Sequence, residues 1–218
     1  MKLKEIGIWI SVTVILTATV WGLLTLVNGN SSPSTSSQTV NPPPVVKEDI
    51  VSGNPQKAKV TLIEYADFQC PACAEYAPLV TKLKEDFGDK LLLVYRFFPL
   101  PQHQNAILSS QASFAARKQN KFLEMSDLLY GNQVMWADSA KAKDIFVEYA
   151  KKLNLNLSQF TTDLDSEAAK KFIEEQKNAG VSIGISGTPT FFVNGKFIQN
   201  PPSYSAFKQI IQDELTQK

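Results

Sequence analysis

Cysteine and histidine are nearly absent from this chain: 218 residues carry two of the first and one of the second. So few thiols exclude a small scaffold stapled by several disulfides. A structural zinc site needs four ligands, usually two CxxC pairs or one pair with two histidines, and a lone His103 beside one pair falls short of that. An excess of one charge is lacking too. With Lys2, Lys4 and Glu5 set aside, 20 basic and 20 acidic residues remain, a balance without the basic footprint of a nucleic-acid binder. No internal repeat is visible, so a repeat array is excluded.

Charge is missing from one stretch altogether. Residues 6–27 run 22 positions without a charged side chain, enough at about 1.5 Å per residue to cross a hydrocarbon core of roughly 30 Å. The run exceeds the apolar region of a cleavable signal peptide, about 7 to 15 residues, and no A-x-A pattern follows Val27. It also lacks the polar face of a core helix, so it predicts an uncleaved transmembrane signal-anchor. Lys2 and Lys4 precede it and the next basic residue is Lys47, which puts residues 1–5 in the cytoplasm and the remainder outside. Residues 28–46 are rich in Ser, Thr, Asn and Pro, have almost nothing to bury, and predict a disordered linker. Residues 47–218 are enough for one domain that buries roughly 70% of its unfolded surface.

Within that domain, β-branched and apolar runs at 60–65 and 91–97 predict strands with a helix between them, a right-handed βαβ unit. From about 104 to 180 apolar residues recur at three-to-four spacing, which predicts four or five helices with Phe114, Phe122, Trp136 and Phe146 in their core. Strands at 190–193 and 196–198 joined by Asn194-Gly195 predict a type I′ hairpin. Ser203 is the expected cap of a last helix reaching Leu215.

The two cysteines are Cys70 and Cys73, separated by Pro71 and Ala72 at the junction between the first strand and its helix. A disulfide gains stability by closing a long loop in the unfolded chain, and this pair closes almost none. A redox-active dithiol is therefore the leading expectation. Pro71 suits the first helical position, so Cys70 faces the positive end of the helix dipole, where a thiolate is favoured. Cys70 is then the exposed sulfur that a substrate attacks and Cys73 its buried partner. The oxidising compartment suits this, since a disulfide persists there and no further cysteine competes. Thr188-Pro189 enters the hairpin, and these residues alone leave a cis and a trans proline both open. Pro78 should kink the active-site helix. His103, with no triad partner in sequence, reads as surface or helix-start packing, and Asp67 as a loop residue.

The segment from Glu64 to Cys73 (EYADFQCPAC), then Arg96-Phe97-Phe98-Pro99-Leu100 with His103 and Ala106, then 119–122 (QNKF) and 187–195 (GTPTFFVNG), together resemble the DsbA-like thiol-disulfide oxidoreductases, especially their membrane-anchored bacterial branch. The likeness runs from about residue 60 to the end. It implies an α/β thioredoxin fold with a helical insertion at about 104–180, and no metal or organic cofactor, the Cys70–Cys73 disulfide being the redox group. It implies that Cys70 is the nucleophile, that Pro189 is cis and faces the cysteines, and that Thr188 pairs main chain to main chain with an extended substrate. Glu64 matches the acid held beneath such sites, which trades a proton with Cys73; a solvated Glu on a strand is the plainer alternative. Pro71 and Ala72 stand where many members place a histidine, so imidazolium help for the thiolate is absent and the direction of electron flow is less fixed than the chemistry. Asn200 stands where a glycine is common, a left-handed position Asn tolerates. The implied partners are exported, unfolded or partly folded cysteine-containing proteins and a membrane reoxidase. Alternatives are a reductase or isomerase of the same fold, or a non-catalytic tethered peptide-binding or chaperone module.

Overall fold

A computed structural model describes residues 41–217. The expected cytoplasmic N-terminus, the anchor at 6–27 and the linker as far as residue 40 lie outside the described residues. Among the described residues no helix is long and apolar enough to cross a membrane.

The chain forms β1 (Ile50–Ser52), β2 (Val60–Ala66), α1 (Pro71–Phe87), a 3-10 turn (Gly88–Lys90) and β3 (Leu91–Phe97). Six helices follow: α2 (Ala106–Arg117), α3 (Phe122–Gly131), the single turn α4 (Gln133–Trp136), α5 (Ala142–Lys152), α6 (Leu157–Leu164) and α7 (Glu167–Ser182). The chain closes with β4 (Thr190–Val193), β5 (Lys196–Ile198) and α8 (Tyr204–Thr216). The strands make one sheet in the order β1-β3-β2-β4-β5, with β2 parallel to β3 and the other pairings antiparallel.

Both faces of the sheet are covered, which is why β2 and β3 read as apolar runs and not as alternating ones. Val60, Leu62, Leu91, Leu93, Phe191 and Val193 pack under α1 and α8 through Val80, Leu83, Phe207 and Ile211. Ile63, Tyr65, Leu92, Val94 and Phe192 meet Phe98 and Ile185 on the other face. There α7 comes so near that a Cβ on Gly180 would stand 2.9 Å from the Phe98 ring and 3.1 Å from that of Tyr65. The inserted helices enclose their own core around Trp136, Phe146 and Phe160, joined to the sheet end by Phe68 and Phe97.

Several expectations hold in detail. Asn194 and Gly195 take φ of 49° and 81°, the type I′ signature, and Ser203 Oγ accepts the Ala206 N–H at 3.2 Å. Others need correction. Asn200 is not among the positive-φ residues; its side-chain amide instead donates to the Pro189 carbonyl at 3.1 Å. The linker does not stay free to residue 46. The buried guanidinium of Arg96 spends its N–H groups on the carbonyls of Pro43 (3.0 Å) and Pro44 (3.1 Å), on Tyr65 Oη (3.0 Å) and on both oxygens of buried Asp49.

Candidate active site

β2 ends at Ala66, and the chain needs only Asp67, Phe68 and Gln69 before Cys70 caps α1. Cys70 is extended (φ −72°, ψ 121°) with Pro71 at the first helical position, so the helix begins with its free N–H groups turned toward the Cys70 side chain. Both cysteines are free thiols. Neither is open to solvent: Cys70, expected to be exposed, is only 7% exposed because the Thr188–Pro189 loop lies against it, and Cys73 is fully buried.

Environment drives the two thiols apart. Cys70 is brought down to about 5, first by the hydrogen bond from the Cys73 thiol, against the opposing cost of burial, and further by the Thr188 side chain and the main-chain N–H groups of Cys73 and Ala72. Cys73 is pushed far up, by burial first, then by its bond to Cys70 and by the charge of Glu64. Glu64 sits mid-strand between Tyr95 and Phe191, 4% exposed, and burial raises its carboxyl to about 8. A carboxyl held raised by burial thus lies within electrostatic reach of the Cys73 thiol. A solvated Glu64 is ruled out by this burial.

The loop before β4 faces Cys70. The Thr188–Pro189 peptide bond is cis, and the Cys70 thiol donates to the Thr188 carbonyl at 3.4 Å. Thr188 Oγ1 is buried and finds no partner of its own while Cys70 is a thiol. Beside the loop runs a groove of about 660 Å³ lined by Ile185, Gly187, Thr188, Pro189, Phe192 and Phe197. Cys70, Cys73, Thr188 and Pro189 therefore come together as expected from sequence, with Pro71 and Ala72 forming the helix start.

The inserted helices also grip this loop. Gln133 Nε2 donates to the carbonyls of Phe68 (2.6 Å) and Cys70 (2.9 Å). Gln69 donates to the Ala137 carbonyl at 2.8 Å and accepts the Asn105 N–H at 2.7 Å. Asp67, read as a loop residue, is fully buried, and His103, read as packing, meets its carboxylate at 2.6 Å. The pair lies 36 residues apart in sequence, so no local pattern could have found it. Among the described residues no group of acidic, thiol and imidazole side chains is placed to hold a metal ion.

The family model described as Thioredoxin matches residues 46–213. The crystal structure of a thioredoxin-like oxidoreductase from Silicibacter pomeroyi DSS-3 is similar at 25% identity and a TM-score of 0.65, covering 79% of this chain and 95% of that one. That of alpha-DsbA1 from Wolbachia pipientis is 22% identical with a TM-score of 0.70, covering 79% of this chain and 94% of that one, a likeness of fold. A curated relative, a Na(+)/H(+) antiporter NhaA 1 from Mycobacterium sp. (strain KMS), is 32% identical over 185 residues; these take up 83% of this chain but only 29% of the antiporter's length. With a matched model spanning most of its length, a CxxC at the start of α1 opposite a cis-proline and a helical insertion after β3, the chain belongs to the thioredoxin family and has the DsbA-like form of its fold.

Proposed function

We propose that this protein is an extracytoplasmic thiol-disulfide oxidoreductase that oxidises cysteine pairs in exported proteins, with Cys70 as the reacting sulfur. The observation that carries the reading is the Cys70-Pro71-Ala72-Cys73 start of α1 set against the cis Thr188–Pro189 bond, with the Cys70 thiol 3.4 Å from the Thr188 carbonyl; the hydrogen bonds that lower Cys70 and the burial that raises Cys73 run the same way. A substrate thiolate attacks Cys70 Sγ of the oxidised pair; the Cys70–Cys73 bond breaks, and Cys73 leaves and takes a proton, for which Glu64 is the donor. A second substrate thiolate then attacks the substrate sulfur of the mixed disulfide and expels Cys70 as a thiolate. The substrate loses two electrons, which the dithiol gains. A stabilised thiolate makes the reduced enzyme the favoured product, which drives electrons from substrate to protein.

The groove beside Pro189 suits an extended peptide paired to the Thr188 main chain. Reoxidation then falls to a membrane partner, and the 22-residue uncharged run at 6–27 supports an anchored protein whose catalytic domain lies outside the cell membrane. The test is the reduction potential of the pair together with Cys70→Ser. A potential near −120 mV is expected, whereas one near −270 mV makes the protein a reductase. Exchange that survives Cys70→Ser overturns the mechanism and leaves a non-catalytic peptide-binding module.

A further inference from the structure

Asp67 is where the parts of the site meet. Its main-chain carbonyl takes the Cys70 N–H at 3.0 Å, and its main-chain N–H bears on the Cys73 sulfur. Its carboxylate accepts the Gln69 N–H at 2.7 Å through one oxygen, and through the other the Leu100 N–H at 2.9 Å and His103 Nδ1 at 2.6 Å. A carboxylate oxygen only accepts, so Nδ1 carries the proton. The carboxylate is fully buried, while the His103 side chain keeps 19% of its surface.

We propose that His103 is a positioning residue for the thiol chemistry: its Nδ1–H holds the Asp67 carboxylate, and Asp67 holds the loop that ends at Cys70 and sets the main-chain N–H that meets Cys73. Two physical effects run the same way. A buried carboxylate short of a donor turns elsewhere, and a turn of Asp67 moves the main-chain groups that meet Cys70 and Cys73. A carboxylate without its imidazole N–H also concentrates negative charge behind a cysteine that must itself become an anion, which disfavours the thiolate. The chain has no imidazole between its cysteines; its single histidine reaches the site from the loop after β3 instead.

The inference rests on the Cys70–Cys73 reading, so Cys70→Ser is run beside it in the full chain. The reporters are the ultraviolet thiolate titration of Cys70 and the rate of disulfide transfer to a reduced two-cysteine peptide. His103→Ala is expected to move the Cys70 midpoint up by about one unit and to slow transfer roughly tenfold. His103→Asn, whose amide N–H stands where Nδ1–H was, recovers most of both; His103→Gln, which places its N–H where Nε2 was, does not. His103→Ala combined with Asp67→Asn falls short of the sum of the single effects, because the two act through one contact. Should His103→Ala fail to fold, the contrast between Asn and Gln decides alone. A His103→Ala protein with unchanged titration and a rate within twofold of the parent overturns the inference, as does an Asn variant no better than Gln. Transfer that survives Cys70→Ser instead overturns the reading beneath it.

Discussion

The Thr188 carbonyl oxygen lies 3.4 Å from Cys70 Sγ and accepts its thiol proton. Loss of that proton releases the carbonyl, and the neighbouring Thr188 hydroxyl, unpartnered until then, gains an anion to serve. The same residue thus presents an acceptor to the thiol and a donor to the thiolate.

Alkylation of the reduced protein should follow a midpoint near 5 and label Cys70 while Cys73 stays unmodified. Because the folded value lies below the unfolded one of about 8.5, thiolate formation stabilises the reduced fold. That stabilisation is complete above the unfolded value and disappears as pH falls through about 5. Melting of the reduced protein across this range, set against Cys70→Ser, isolates it. Preferential Cys73 labelling reverses the assignment of the two sulfurs.

Glu64 behaves in the opposite sense. Its carboxyl is raised to about 8, so its contribution is fully present below the unfolded value of about 4.3 and is lost as pH rises through 8. Glu64→Gln keeps the neutral shape without the ionisation. The variant should melt higher than the parent at pH 9 and lose that advantage toward pH 4. Transfer should slow by about a hundredfold, since an amide cannot supply the proton that Cys73 takes. A rate unchanged at neutral pH removes Glu64 from the proton path.

Gly180→Ala pits helix propensity against space. Alanine in a helix interior gains about 1 kcal/mol over glycine, but here the added carbon meets the buried Phe98 ring at 2.9 Å. The clash should win, lowering stability by about 1 to 3 kcal/mol. Denaturant titration reads the sign directly.

Arg96→Met should cost about 3 to 5 kcal/mol, because it strands the Asp49 carboxylate, whose side chain is 4% exposed. Asp49→Asn in the same chain should recover part of the loss. Proteolysis near residues 43–46 should quicken in Arg96→Met, as both proline carbonyls lose their donor.

Features legible in the sequence were those that neighbours specify. The Asn194-Gly195 turn, the Ser203 cap and the Cys70-Pro71 helix start each depend on a few adjacent residues. β1 was not legible, being three residues long and defined only by its pairing with β3. The Asp67–His103 and Asp49–Arg96 contacts span 36 and 47 residues, and a lone histidine or a buried aspartate carries no local mark of its partner.

Arg96 also governs how force enters the domain. A pull on the chain ahead of Pro43 meets the guanidinium before it meets the three-residue ladder of β1 on β3. From there it passes to Asp49 and to Tyr65, one strand position short of the end of β2. Tension on the segment ahead of Pro43 is thus taken up by side-chain hydrogen bonds that reach β2 and β3 before it reaches the short edge strand.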